Sequence, residues 1–155
     1  MLYEALKTLH VLSVVIWIGG MVFAHFFLRP AVAELEAPVR LKLMCDVLGR
    51  FFKTVLVVSV LTLISGIWML GRVAKQTVQS GGSFDMPLSW TVMTALGVLM
   101  VGLFLHIRFA LYSKLKRFVL AADWELAGAT LAKIRQWVLI NLIIGVLILL
   151  FVLLG

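Results

Sequence analysis

The feature of this sequence that most constrains its fold is a set of four long apolar stretches, which take up most of its 155 residues. They cover residues 3–28, 51–70, 88–111 and 137–154. A bilayer core about 30 Å thick needs roughly 20 apolar residues for each helical span. The chain is 63% hydrophobic and only 14% charged, which is far from the composition of a soluble domain. Each stretch is therefore predicted to cross a membrane.

Helices are the spanning structure that fits stretches of this length. Within lipid the backbone is satisfied only in helices or closed barrels, and barrel strands are shorter and alternate in polarity. The connections are short, so consecutive helices are expected to run antiparallel as neighbours. We predict an all-α integral membrane protein, an up-down bundle of four helices in a single domain of residues 1–155. Its first and third helices would be parallel and diagonal across the bundle.

Positive charge is concentrated at one end of this bundle. Eleven of the fourteen Lys and Arg residues lie in or beside the first and third connections: Arg29, Arg40, Lys42, Arg50, Lys53, Arg108, Lys114, Lys116, Arg117, Lys133 and Arg135. The positive-inside rule places such connections in the cytoplasm. Both termini are therefore predicted to face outward, into the periplasm, in a multi-pass protein of the bacterial inner membrane. Topology thus explains the net charge of +7, and no basic run interleaved with aromatic residues suggests nucleic acid.

Local signals indicate where the helices begin and end. Pro30 is predicted to end the first helix two residues earlier. Pro38 suits the start of a second helix that begins in the cytoplasm and runs to about Gly71. Residues 76–87 contain a Gln-Ser-Gly-Gly-Ser run and are predicted to form a loop. Asp123 is predicted to cap a fourth helix that also begins in the cytoplasm.

All three histidines, His10, His25 and His106, fall within the first and third apolar stretches. Ionisable groups at membrane depth are costly and indicate function by default. His10 and His25 share one face of the first helix, but they are 15 residues, or about 22 Å, apart and cannot serve one small site. Counted along the two parallel helices, His25 and His106 are predicted to lie at nearly the same depth.

Two imidazoles that face each other across a dry bundle can hold a haem through its two axial positions. We therefore expect haem b between His25 and His106, with His10 at a second haem or metal site. Arg29 and Arg108 lie within one turn and are candidates to bind the propionates. Such a protein would work in electron transfer or tetrapyrrole redox chemistry, as a haem-dependent oxidoreductase. Its redox partner or quinone is not identified by the sequence.

Two alternatives remain open. Thioethers combined with imidazole suit copper(I), and His10, Met86 and Met93 all lie towards the outward end of their helices, which favours a copper-handling membrane protein. In the other alternative the histidines only form hydrogen bonds between helices, in an accessory membrane subunit without a cofactor. A homodimer is compatible with so small a bundle, but no residue points to one.

Several residues of this chain resemble those of a known superfamily. In the first helix, His10 is followed by Trp17 seven residues later and by Gly20 ten residues later. This pattern resembles the four-helix CopD-type copper-resistance membrane domain and the related HemJ-type protoporphyrinogen oxidases. Looser matches extend over the rest of the chain: Ser65-Gly66, Trp90, His106, Arg135, Asn141 and Gly145.

The two branches of that superfamily imply different functions. Resemblance to the HemJ-type branch implies haem b and the oxidation of protoporphyrinogen, with His10 at the position of its first-helix histidine. That branch has a lysine four residues after the third-helix Trp, where this chain has Thr94. Resemblance to the CopD-type branch implies movement of copper across the inner membrane, with His10 on the outward side.

Overall fold

In a computed structural model, which describes residues 1–154, the chain forms four long helices. They are α1 (Leu2–Ala31), α2 (Ala37–Gln79), α3 (Leu88–Leu120) and α4 (Trp124–Leu154). No strand occurs in the described part of the chain. Each helix is long and apolar enough to cross a membrane. The predicted all-α membrane bundle of four helices is confirmed.

The helices pack as an up-down bundle. α1 lies along α2 and α3 lies along α4, while contacts of α4 with α1 and α2 and of α2 with α3 close the bundle. The backbones of α1 and α3 stay apart, and the rings of Trp17 and Phe104 meet between them with centroids 5.8 Å apart. This arrangement agrees with the predicted diagonal placement of the first and third helices.

The first helix does not end before Pro30, as predicted, but continues to Ala31. Residues Phe23–Leu28 form a π-helical segment immediately before the proline. A proline has no amide N–H, and its ring collides with the carbonyl four residues earlier in a regular α-helix. A wider π turn accommodates both defects without ending the helix. The predicted end was wrong because a π-helical segment accommodates the proline without ending the helix.

Two further helix ends lie beyond their predicted positions. α2 has Pro38 in its first turn, as expected, but ends at Gln79 rather than near Gly71. α3 passes Leu111, the end of its apolar stretch, and continues to Leu120. We call the end of the bundle with the first and third connections the basic end, and the opposite end, with both termini, the terminal end.

Asp123 caps α4 as predicted. Its Oδ1 accepts a hydrogen bond of 3.1 Å from the amide of Leu126, three residues later, which satisfies one of the free amides of the first turn. The preceding Ala122 has a φ of 55°, in the left-handed region. The chain therefore reverses sharply between α3 and α4, which holds the two helices side by side.

The packed core occupies the basic half of the bundle. The buried hydrophobic residues begin at Trp17 in α1 and at Met100 in α3, and they end at Val58 in α2 and at Leu142 in α4. Nearer the terminal end, the buried polar side chains of the described residues are those of Ser13, Ser59 and Ser65. The basic half is therefore mainly apolar, with Thr130 and Asn141 as its buried polar side chains, whereas the terminal half is built around small hydroxyl-bearing side chains.

Candidate functional site

His10 of α1 is held against α2 by two polar contacts. Its Nδ1 lies 3.0 Å from the carbonyl oxygen of Thr62 and 3.1 Å from the Oγ of Ser65. A carbonyl oxygen can only accept, so Nδ1 carries the proton and donates it. The Ser65 hydroxyl donates to the carbonyl of Leu61 at 2.6 Å, which leaves its lone pairs for His10. In the neutral imidazole the other nitrogen, Nε2, is then an unprotonated acceptor.

Gly66 makes this close approach of the imidazole to α2 possible. A Cβ at Gly66 would lie 3.2 Å from Cε1 of His10 and 3.5 Å from its Nδ1. Small residues let helices approach closely in membranes, and here the missing side chain makes room for a ring. We call Thr62, Ser65 and Gly66 the α2 notch. The sequence drew attention to His10 and to Ser65-Gly66 separately, but it missed Thr62, which shares their face at a spacing of three and four residues.

The contact of Nδ1 with a carbonyl oxygen is of the kind that ligating histidines also make. A ligating histidine usually donates its other ring N–H to a carbonyl or carboxylate, which fixes the ring and raises its basicity. His10 already makes that contact with Thr62. Its Nε2 forms no hydrogen bond with the described residues. One ring nitrogen is therefore held by α2, and the other is unpaired among the described residues.

The terminal half also contains methionines, whose thioethers are soft donors. No group of three or more His, Cys, Asp or Glu side chains suited to a metal occurs in the described residues. Met69 lies four residues after Ser65 in α2, and it is half-buried like Met86 and Met93. Met93 shares a face of α3 with the buried Met100, seven residues later. With Met1, the soft donors of the terminal half therefore lie directly before α1, on α2, on α3 and in the connection between α2 and α3.

The structure does not bring His25 and His106 to a shared cavity. His25 lies in the π segment with its ring 4.8 Å from that of Phe26, and it borders a cavity between α1, α2 and α4. His106 is exposed, and its ring packs 5.5 Å from Trp137 of α4. The cavity beside His25 is lined by no residue of α3. The role of these histidines as haem ligands stays a prediction.

The two arginines predicted to bind propionates have different surroundings. Arg29 lines the cavity beside His25. The guanidinium of Arg108 lies over the rings of Phe109 and Tyr112, 5.5 and 5.2 Å from their centroids, and its buried Nε has no partner in the described residues. Their predicted role also stays untested. The structure adds to the cavity two arginines, 40 and 135, that the sequence had linked only to topology.

Four helices able to cross a membrane, with an imidazole held in a notch between two of them, define a small multi-pass membrane protein. A family model described as copper resistance protein D matches residues 45–154, more than two thirds of the chain. The chain belongs to this copper resistance protein D family. The match includes the α2 notch but not α1 with His10. No curated protein and no solved structure matches the chain significantly.

Proposed function

We propose that this protein binds copper(I) within the membrane and takes part in its movement or detoxification. The observation that carries the proposal is the contact of His10 with the carbonyl of Thr62, which leaves Nε2 of the imidazole free to bind a metal. The family match, described as copper resistance protein D, favours copper as that metal. Copper is the cargo in this proposal.

The chemistry of the terminal half suits the cuprous ion. Copper(I) is a soft ion that favours thioether and imidazole ligands, and the neutral donors of that half include His10, Met69, Met86 and Met93. Neutral ligands leave the single positive charge of the ion in place, and a lone charge in lipid is costly. The ion would therefore bind loosely enough to be passed on.

The charge distribution supports an orientation for this site. The eleven Lys and Arg residues at the basic end favour a cytoplasmic location for that end in the bacterial inner membrane. His10 lies eight residues into α1 from Leu2, or about 12 Å from the start of that helix. In this orientation His10 takes copper from the periplasmic side.

Competition for copper(I) against a colorimetric chelator tests the proposal on the purified protein in detergent. His10→Ala should weaken copper(I) binding at least about tenfold, since it removes the proposed nitrogen ligand. Ser65→Ala should weaken it by up to about tenfold through the loss of a positioning contact. His106→Ala is the matched control, because that exposed imidazole packs on Trp137 away from the α2 notch. Unchanged binding in His10→Ala would overturn the copper site.

A reduced-minus-oxidised spectrum of the same preparation, from cells that make haem, distinguishes the haem alternative. The copper proposal predicts no b-type bands. Bands that disappear in His25→Ala or His106→Ala would instead assign the protein to haem-linked electron transfer. Absence of both haem bands and copper binding would favour an accessory subunit without a cofactor.

A further inference from the structure

A cavity of about 290 Å³ opens at the basic end, between α1, α2 and α4. We call it the arginine cavity. Much of its wall is apolar and consists of Leu41, Met44 and Leu48 from α2 and Leu131, Ile134 and Val138 from α4. The copper proposal does not use this cavity, which lies in the opposite half of the bundle from His10.

Three arginines and His25 line the arginine cavity, and no acidic residue does. Arg40 donates through its Nη1 to the carbonyls of Ala33 and Leu35 at 3.0 and 3.2 Å, so part of its guanidinium is already used. Arg29 and Arg135 form no hydrogen bond and no salt bridge with the described residues. Two guanidiniums with unused donors therefore lie at the cavity, and guanidinium geometry matches phosphate oxygens.

Gly128 keeps the arginine cavity open on the side of α4. With Leu131, Ala132 and Arg135 it follows the spacing of one helix face, and all four line the cavity. A Cβ at Gly128 would meet no atom within 4 Å. A larger side chain at this position would therefore fill empty space rather than displace a neighbour.

We propose that the arginine cavity binds the headgroup of an anionic phospholipid, with the phosphodiester between Arg29 and Arg135 and the adjoining acyl carbons on the apolar wall. Charge complementarity favours an anion, and basic pockets between membrane helices are typical sites for anionic headgroups. The apolar wall favours a lipid over free phosphate, because inorganic phosphate has no apolar part to cover it. Arg29 is exposed, so the cavity is reached from the surface of the bundle.

Native mass spectrometry of the delipidated full-length protein, titrated with dioleoylphosphatidylglycerol or dioleoylphosphatidylcholine, tests this assignment. Phosphatidylglycerol should bind about tenfold more tightly, as expected for a headgroup phosphate whose charge is not neutralised by choline. The double variant Arg29→Gln, Arg135→Gln should lose most of this preference. Equal binding of the two lipids by the unaltered protein would overturn the proposal.

Two glycine variants separate a specific site from general attraction to a basic surface. Gly128→Leu keeps every charge but fills the cavity, so it should abolish the tight phosphatidylglycerol binding. Gly102→Leu is the control, because a side chain there also meets no atom within 4 Å but lies outside the cavity. Helical circular dichroism and a single gel-filtration peak confirm that both variants fold. Wild-type binding by Gly128→Leu would overturn the site.

Competition identifies the source of the anion. Inorganic phosphate at millimolar concentration should leave the bound lipid in place, and displacement at that concentration would assign the cavity to free phosphate instead. A b-type haem spectrum lost in Gly128→Leu would assign it to haem propionates. Either result would overturn the lipid assignment without affecting copper binding at His10.

Discussion

The two halves of the bundle are stabilised by different interactions. In the basic half the ring of Phe52 contacts those of Phe104 and Tyr112, with centroids 6.0 and 5.6 Å apart, inside a buried apolar core. In the terminal half the contact between α1 and α2 at His10 is polar. Between the start of α1 and Trp17, no hydrophobic side chain is buried.

The lipid environment explains how the two halves can differ in this way. Apolar side chains gain little by exchanging lipid contact for helix contact, so association depends on close packing and on hydrogen bonds between helices. The basic half supplies the close packing that holds the fold. In the terminal half, hydrogen bonds between helices can therefore replace apolar packing, as at His10.

The largest effect is expected from Phe52→Ala, which should lower the free energy of unfolding by about 2–3 kcal/mol, because it leaves a void of roughly 100 Å³ at about 24 cal/mol per Å³. Phe52 is 2% exposed. Equilibrium unfolding of the purified protein in mixed detergent measures the loss. Phe27→Ala is the control, since that ring is 62% exposed and should have little effect. If His10→Ala is as destabilising as Phe52→Ala, the basic half does not contribute more to stability than the terminal half.

A smaller loss is expected from Gly49→Ala, also in the basic half. A Cβ at Gly49 would overlap the hydroxyl of Tyr112, which donates to the carbonyl of Cys45 at 3.0 Å. Overpacking of this kind should cost about 1–3 kcal/mol. Tyr112→Phe alone should cost about 1 kcal/mol through the lost hydrogen bond. The double variant should lose less unfolding free energy than the sum of the two single losses. A loss equal to that sum would show that Gly49 and Tyr112 are not coupled.

The smallest effect is expected from Ser65→Ala in the terminal half, which removes one hydroxyl from the α2 notch. Side-chain hydrogen bonds between membrane helices average about 0.6 kcal/mol, so unfolding should shift only slightly. A double-mutant cycle with His10→Ala, read by the same unfolding assay, should give a coupling energy of about that size. A loss larger than that of Gly49→Ala would mean that the polar contacts also hold the fold.

The features that the sequence predicted correctly depend on local signals. The length of each apolar stretch indicated four spans, and Asp123 indicated the start of α4, because a cap acts on amides only a few residues away. The contact of His10 with Thr62 was not predicted, since it depends on the register between two helices. The prediction that His25 and His106 face each other rested on their depth and on helix periodicity, whereas the rings that each one contacts, Phe26 and Trp137, depend on tertiary packing. Their role as haem ligands stays a prediction.

The length of α2 determines where along the helix the His10 contact lies. The helix has 43 residues, so it is about 64 Å long, roughly twice the thickness of a bilayer core. Its midpoint is residue 58, and Thr62 lies only about 6 Å from it. A tilt of about 10° around that point would move the ends of the helix by about 6 Å but Thr62 by only about 1 Å. The His10 contact therefore lies near the middle of the longest helix, where a rigid tilt of α2 about its midpoint would disturb a contact less than at either end.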